Sequence, residues 1–493
     1  MKRKHRENDA KITSIDKLLE QNRESNDFKS YALNGKTPCT LSYFETMIDL
    51  KILNQSVLPA VKGHHLSTLN EMKEMIPVEN ITITNQFEEI RDKFMQGYVI
   101  FQMKGNPGEA LMIPATSTET RKVSVPEVEF SVVGPKEAFV ESLDTNINLV
   151  RKRLPLSQLT VKEYPVGKIT KTRVAILYIE GIANPENVNT AIQRITDIEF
   201  DQINDSSYIT QMISDNSHSP FPQLLDTERP DRVTGSLVEG KVVIIVDGAP
   251  HALSAPTTIV EFFSASDDYF LPWHLSSMFR LIRLFAVMFS VLGSSLYVAI
   301  LTYHPEMIPQ DLLATIVSSR ADIPFPPILE VIILELTIEL LREAGARLPT
   351  KVGQTIGIVG GIVIGTAAVD AGLTSNVLLI IVALGALASF TTPIYQIGNT
   401  IRLIRFPFLI GAQVWGLVGL SLVMVFYIVH LIKLKSLGRP FFAPIYPLRF
   451  RELKDAFIRL PFFVQSKRPI LTRSPDPGRF NRIRAKEKRD VDE

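Results

Sequence analysis

The chain has 493 residues, with 53 Lys and Arg against 52 Asp and Glu, and a single cysteine. So even a balance gives no footing for a nucleic-acid binder that works by neutralising phosphates, and Cys39 alone excludes an intramolecular disulfide framework or a cysteine metal cluster. The length allows more than one domain, and the average composition hides a sharp division between a mixed-polarity first half and an apolar second half.

Residues 1–30, MKRKHRENDAKITSIDKLLEQNRESNDFKS, contain no apolar core. They read as a disordered tail rather than a signal peptide. From 31 to 270 the pattern is α/β. Amphipathic stretches such as GPKEAFVESLDTNINLVRKRL (134–154) alternate with apolar runs such as RVAILYIEGI (173–182) and KVVIIVDG (241–248). Two stretches match each other. GYVIFQMKGNPGEALMIP (97–114) and GKVVIIVDGAPHALSAP (240–256) both start on Gly, reach a second Gly eight positions on (Gly105, Gly248) and place Pro two positions later (Pro107, Pro250). Each reads as a β-hairpin with a Gly/Pro turn. The expected organisation is two related α/β subdomains, 31–120 and 121–270, both cytoplasmic because a soluble region of this size without disulfides suits a reducing compartment.

Residues 271–440 read as an α-helical multi-pass membrane domain. No Asp, Glu, Lys or Arg occurs from Leu284 to Tyr303, Val352 to Val369, Ala371 to Ile401 or Phe406 to Ile432. A bilayer core of about 30 Å needs about 20 apolar residues per helix. The expected spans are 281–303, 352–369, 376–398 and 407–432, with Trp273, Arg280 and Arg283 at the interface before the first. Residues 433–493 carry 16 Lys/Arg and 7 Asp/Glu, a net charge of 16 − 7 = +9. The stretch 441–493 is therefore expected to be a basic cytoplasmic tail, attracted to anionic lipid or serving only to fix topology. With both ends cytoplasmic the number of spans is even. Four is the expectation, and six, with the uncharged 31-residue stretch broken at Thr391-Thr392-Pro393, is the alternative.

The segment PFPPILEVIILELTIELLREAGARLP (324–349) is apolar yet carries Glu330, Glu335, Glu339 and Glu343. On a helix over 326–348 these carboxylates form a narrow stripe beside Arg342. A charge at the bilayer centre costs about 2.5–3.5 kcal/mol even on insertion scales, so a lone lipid-exposed helix is excluded. Two arrangements stay open: an amphipathic or re-entrant helix with its acids in water, or a helix lining a water-filled cation path, where rings of carboxylates select cations. Gly353, Gly357, Gly361 and Gly365 follow at i+4 spacing, the small-residue pattern that lets membrane helices pack closely. Pro393 breaks the helix pattern among Thr391, Thr392, Gln396 and Asn399. There is no GxSxG, HExxH, Walker loop or Cys/His ligand set, so neither an enzyme nor a metal or cofactor site is expected.

Taken together, GPKEAFVESLDTNINLVRKRL, KTRVAILYIEGIANPENV, SPFPQLLDTERPDRV, VVIIVDGAPHAL, PFPPILEVIILELTIELLREAGARLPTKVGQTIGIVGGIVIG and TPIYQIGNTIRLIRFPFLI resemble the A subunit of GerA-type spore germination receptors, in order and over about 90–440. The resemblance implies a receptor subunit in the inner membrane of the bacterial spore. It would act with a transporter-like multi-pass B subunit and a lipoprotein C subunit. It also implies an oligomeric, nutrient-gated channel that releases monovalent cations at the start of germination. A solute transporter and a non-conducting scaffold for partner subunits are the competing readings.

Overall fold

In a computed structural model of the chain, the structure describes residues 14–33, 39–62, 68–103, 108–116, 126, 129, 133–348, 361 and 363–480. The first domain opens with helix α1 (Ile15–Asn22), capped by the Ser14 side chain, and continues into strands β1 (Phe28–Leu33) and β2 (Cys39–Phe44). The expectation of a disordered tail over 1–30 is thus corrected from Ser14 onward. Polar residues dominate the segment, but Ile15, Leu18 and Leu19 lie on one face of a short helix and are buried against Phe44 and Phe94. Residues 1–13 lie outside the described residues.

Strands β3 (Thr82–Thr84), β4 (Tyr98–Met103) and β5 (Ala110–Pro114), with helix α2 (Phe87–Phe94) between β3 and β4, complete a five-stranded antiparallel sheet of order β1-β2-β4-β5-β3. The second domain repeats the plan. Helix α3 (Leu143–Arg153) leads into β6 (Leu159–Val166) and β7 (Thr172–Ile179). Helices α4 (Pro185–Thr196) and α5 (Ser206–Ile213) precede β8 (Leu225–Thr227). Helix α6 (Pro230–Val238) then leads to β9 (Val242–Val246) and β10 (Ala252–Ala255). The order β6-β7-β9-β10-β8 is the same topology, and the two matched stretches of sequence form the corresponding hairpins β4–β5 and β9–β10. Gly97 and Gly240 stand before the first strand of each hairpin at φ +89° and +87°, a conformation that costs glycine nothing. Gly105 and Pro107 lie outside the described residues.

Both faces of the second sheet are covered. Leu143, Ile147, Val150, Val233 and Leu237 pack on one side, and Val188, Ala191, Ile195, Ile209 and Ile213 on the other. That is why VVIIV runs apolar without alternation. The two domains are joined by a buried ion pair. Arg151 on α3 donates through Nε and Nη2 to the Asp27 carboxylate at 2.6 and 2.7 Å, and its guanidinium lies 4.1 Å from the Phe44 ring.

The helical domain starts with α7 (Trp273–Tyr303). Arg280 and Arg283 at its foot do not reach for lipid head groups as expected. Both donate to Asp268, at 2.9 and 3.2 Å, inside the junction with the second domain. A short helix α8 (Gln310–Ser319) follows, then α9 (Pro327–Arg347), α10 (Asn376–Ser389) and α11 (Tyr395–Lys433). Among the described residues, α7 and α11 are long and apolar enough to cross a bilayer, by length and composition.

The expected spans change in two places. The stretch 376–398 is interrupted, because the chain leaves helix between Ser389 and Tyr395, around Pro393. The stretch 407–432 is not one helix either. Trp415 and Gly416 are non-helical, with Gly416 at φ +58°, and α11 folds into two antiparallel arms, 395–414 and 417–433. Phe408 stacks on Tyr427 across the hairpin, with ring centroids 5.8 Å apart. The Tyr303 hydroxyl closes the far end by donating to the carbonyls of Gln413 and Val414 at 2.8 and 2.9 Å.

Beyond α11 the chain returns to the second domain, and the basic tail expected over 441–493 packs there on protein as far as Phe480. Arg439 binds Glu186 and Asn187, and Arg468 and Arg479 bind the Val238 carbonyl and Glu239. Asn184 and Asn187 donate to the carbonyls of Arg473 and Thr472. Arg439, Arg468 and Arg479 are thus held by protein partners. Residues 481–493 lie outside the described residues.

Candidate functional site: an ion-pair ladder in the helical domain

Pro326 and Pro327 set the start of α9, where a missing amide costs nothing. The helix lies against α7 and α10 rather than apart at a surface, and it runs antiparallel to α7. Its first turn sits beside Ser375 and Tyr297, its middle beside Ser294, and its last turns beside Phe390. This packing, together with the buried α7 serines Ser290 and Ser294, encloses the first half of the helix within the bundle.

Each of the four glutamates has an arginine. Glu330 is fully buried, 2.7 Å from Arg320 Nη2, and the Ser375 amide donates to its other oxygen at 3.4 Å. Glu335 is 5% exposed; it pairs with Arg405 on the first arm of α11 and accepts a hydrogen bond from Ser294 Oγ at 3.0 Å. Arg405 also donates to Ser290 Oγ at 2.8 Å. Glu339 lies 2.9 Å from Arg342 and 3.7 Å from Arg402, and Glu343 lies 2.5 Å from Arg347. Arg342 also covers the Phe390 ring at 4.9 Å. The result is a ladder of charge pairs running the length of α9, buried at one end and open at the other. Glu330 and Glu335 are enclosed within the chain. Glu339 and Glu343, at 46% and 62% side-chain exposure, are the members of the stripe open to solvent or to a neighbouring molecule.

The arginines were in plain view in the sequence but their role was not. Arg402 and Arg405 are three apart on one helix, and Glu335 and Glu339 are four apart on another, so each pair lies on one face. Complementary spacing on two helices is the signal that could have matched them. Which helices meet is a tertiary fact.

The glycine stripe has a smaller role within the chain than expected. Gly353 and Gly357 lie outside the described residues. A Cβ at Gly361 would meet nothing within 4 Å, and one at Gly365 would make ordinary contact with Leu379 at 3.8 Å. Close backbone approach occurs instead in the α11 hairpin, where a Cβ on Gly419 would stand 1.9 Å from the Gly411 carbonyl oxygen. Around Pro393, the hydroxyls of Thr391 and Thr392 donate to the carbonyls of Ala388 and Ser389 at 2.8 and 2.9 Å, satisfying the end of α10. Among the described residues no group of three His, Cys, Asp or Glu is placed to hold a metal ion.

The chain is similar to known proteins over most of its length. The family model described as Bacillus/Clostridium GerA spore germination protein matches residues 14–471. The chain is 49% identical to the Bacillus cereus spore germination protein GerQA over 474 residues, covering 96% of this chain and 95% of that one. It is 45% identical to the Bacillus cereus spore germination protein GerIA, covering 94% and 70%. The N-terminal domain of the A subunit of the Bacillus megaterium spore germinant receptor GerK3 matches 49% of this chain and 92% of that domain at 26% identity, with a TM-score of 0.36. The chain belongs to the GerA family of spore germination proteins.

Proposed function

We propose that the chain is the A subunit of a nutrient-responsive germination receptor of the spore inner membrane, and that copies of it assemble into a path for monovalent cations. The observation that carries this reading is the asymmetry of the ladder. Glu330 and Glu335 are neutralised inside the bundle and hold α9 in place. Glu339 and Glu343 are left open beside Leu336 and Leu340, which are 49% and 70% exposed. An apolar helix face edged by open carboxylates suits contact with neighbouring copies around water, where a ring of acids concentrates cations. A transporter-like B subunit and a lipoprotein C subunit are the partners this reading assigns.

The same reading makes the helical domain multi-pass, with both chain ends cytoplasmic. The segment 439–480 packs on the second α/β domain, so the chain enters and leaves the bundle on one side and crosses an even number of times. Passes through α7, α9, α10 and the two arms of α11 are five among the described residues, and the span expected over 352–369, which lies largely outside them, makes six. The buried glutamates, each with its arginine, are what permits α9 to be one of them.

Potassium release from spores carrying Glu339→Gln together with Glu343→Gln tests the cation path. Release in response to nutrient should slow severalfold at unchanged protein level, and Glu339→Lys should slow it further by inverting the field. Wild-type release in both variants would reject a path lined by this helix.

A further inference from the structure

Between its attachments to the second domain, at Arg439 and again at Arg468 and Arg479, the C-terminal segment packs on the foot of α7. It forms helix α12 (Phe450–Phe457) and a short turn of 3-10 helix (Phe462–Val464). Arg459, which is buried, pins it there. Ser277 Oγ on α7 donates to the Arg459 carbonyl at 3.3 Å. The Arg459 guanidinium in turn donates to the Tyr269 carbonyl at 3.5 Å and lies 4.2 Å from the Phe462 ring.

On this support the segment turns apolar side chains outward. Phe450 is 71% exposed, Phe462 58%, and Tyr446 and Leu448 55% each. The foot of α7 does the same: Trp273, Leu275, Met278 and Phe279 are exposed, while Ser276, Ser277 and Arg280 are buried. An apolar surface of this extent marks contact with a membrane or a partner. The length of α7 favours the membrane. Its 31 residues make it about 46 Å long at 1.5 Å per residue, against a hydrocarbon core of about 30 Å. The uncharged stretch Leu284–Tyr303 fills such a core by itself. When α7 crosses a bilayer, Trp273–Arg283 therefore stands at head-group depth, and so does whatever packs beside it. Charge agrees. From Tyr446 to Arg468 the chain carries six Lys/Arg and two Asp/Glu, a net charge of 6 − 2 = +4. Aromatic and basic residues together, around an amphipathic helix, are the composition of an element that lies in a membrane interface.

We propose that residues 446–463 are a membrane anchor. Tyr446, Leu448, Phe450, Phe462 and Phe463 enter the head-group layer of the leaflet where α7 begins, among anionic lipids. Because the chain on either side is bound to the second domain, the anchor holds that domain against the membrane surface. The inference rests on the reading that α7 spans the bilayer.

Benzoylphenylalanine in place of Phe450 or Phe462 keeps an aromatic ring and, on irradiation, records what touches it. The full chain would be reconstituted in nanodiscs of equal parts phosphatidylcholine and phosphatidylglycerol, irradiated, and weighed intact. Lipid adducts should form at both positions, as they should at Phe285, an exposed residue in the uncharged stretch of α7. None should form at Ile169, which is 76% exposed at the β6–β7 turn. The adducts at 450 and 462 should be enriched in the anionic lipid by about fivefold over those at 285, the effect of one basic residue near an anionic surface. Lipid adducts at 285 with none at 450 and 462, or with cross-links to a second copy of the chain there instead, would overturn the anchor and leave the span standing. The same lipid ratio at all three positions would overturn the preference for anionic lipid. No lipid adduct at 285 would overturn the span, and the anchor with it.

Discussion

Arg405→Leu is the sharpest perturbation of the ladder. The Arg405 and Glu335 side chains are 4% and 5% exposed, and the substitution leaves the Glu335 carboxylate inside the bundle with Ser294 as its remaining hydrogen-bond donor. Removing one partner of a buried ion pair costs about 3–5 kcal/mol, whereas a single hydrogen bond between membrane helices contributes about 0.6 kcal/mol. Ser294 therefore cannot compensate, and the folded-to-unfolded ratio should fall by roughly a thousandfold. Glu335→Gln should lie between Arg405→Leu and wild type, because the amide still accepts from Ser294 and offers a donor of its own. The double variant Glu335→Leu with Arg405→Met should recover most of the loss, since replacing both charges by apolar groups of similar volume is commonly neutral or stabilising. Thermal unfolding of the purified full-length chains in nanodiscs measures this series, with membrane abundance as a second readout. An Arg405→Leu chain that melts within about a degree of wild type would refute the reasoning, because a change of 1 kcal/mol alone shifts a domain of 150–250 residues by about 2–4 °C.

Gly419→Ala should lower the amount of folded protein sharply, because its Cβ would fall 1.9 Å from the Gly411 carbonyl oxygen; Gly361→Ala, which meets nothing within 4 Å in the chain, is the control, and immunoblots of membranes distinguish them. The Asp27–Arg151 pair predicts acid sensitivity of the first domain. Burial raises the Asp27 pKa, but the Arg151 charge and hydrogen bonds from Arg151, Ser25 and Thr46 more than offset it, so the folded carboxyl titrates below its ordinary value. The group therefore stabilises the fold above the unfolded pKa of about 3.9 and loses that contribution as pH falls further, through the folded value. Unfolding followed by circular dichroism between pH 7 and 2 should show this loss in the wild type and its absence in Asp27→Asn, which should already be destabilised by about 3–5 kcal/mol at neutral pH.

Much of the architecture was legible in one dimension. The spacing of Gly240, Gly248 and Pro250 against Gly97, Gly105 and Pro107 marked a repeated hairpin, and the two sheets share one strand order around it. Runs without charge marked the helical domain, because exclusion of charge is a property of each helix by itself. Pro393 marked a helix end for an equally local reason, the missing amide. What the sequence did not determine was every feature that depends on which surfaces meet. Trp415–Gly416 turns a run of apolar residues back on itself, and hydropathy is unchanged across such a turn. The segment around Leu18 is polar on average, yet one face is buried because a sheet face lies under it. Composition marked the glutamates of α9 as misplaced charges, and the cation path is one answer to where they could go. Tertiary structure supplies another for Glu330 and Glu335, since Arg320 and Arg405 reach them from other helices. A buried charge is unaffordable alone and tolerable when paired, and the partner that decides between those outcomes is 70 residues away for Glu335 and visible only once the helices are packed.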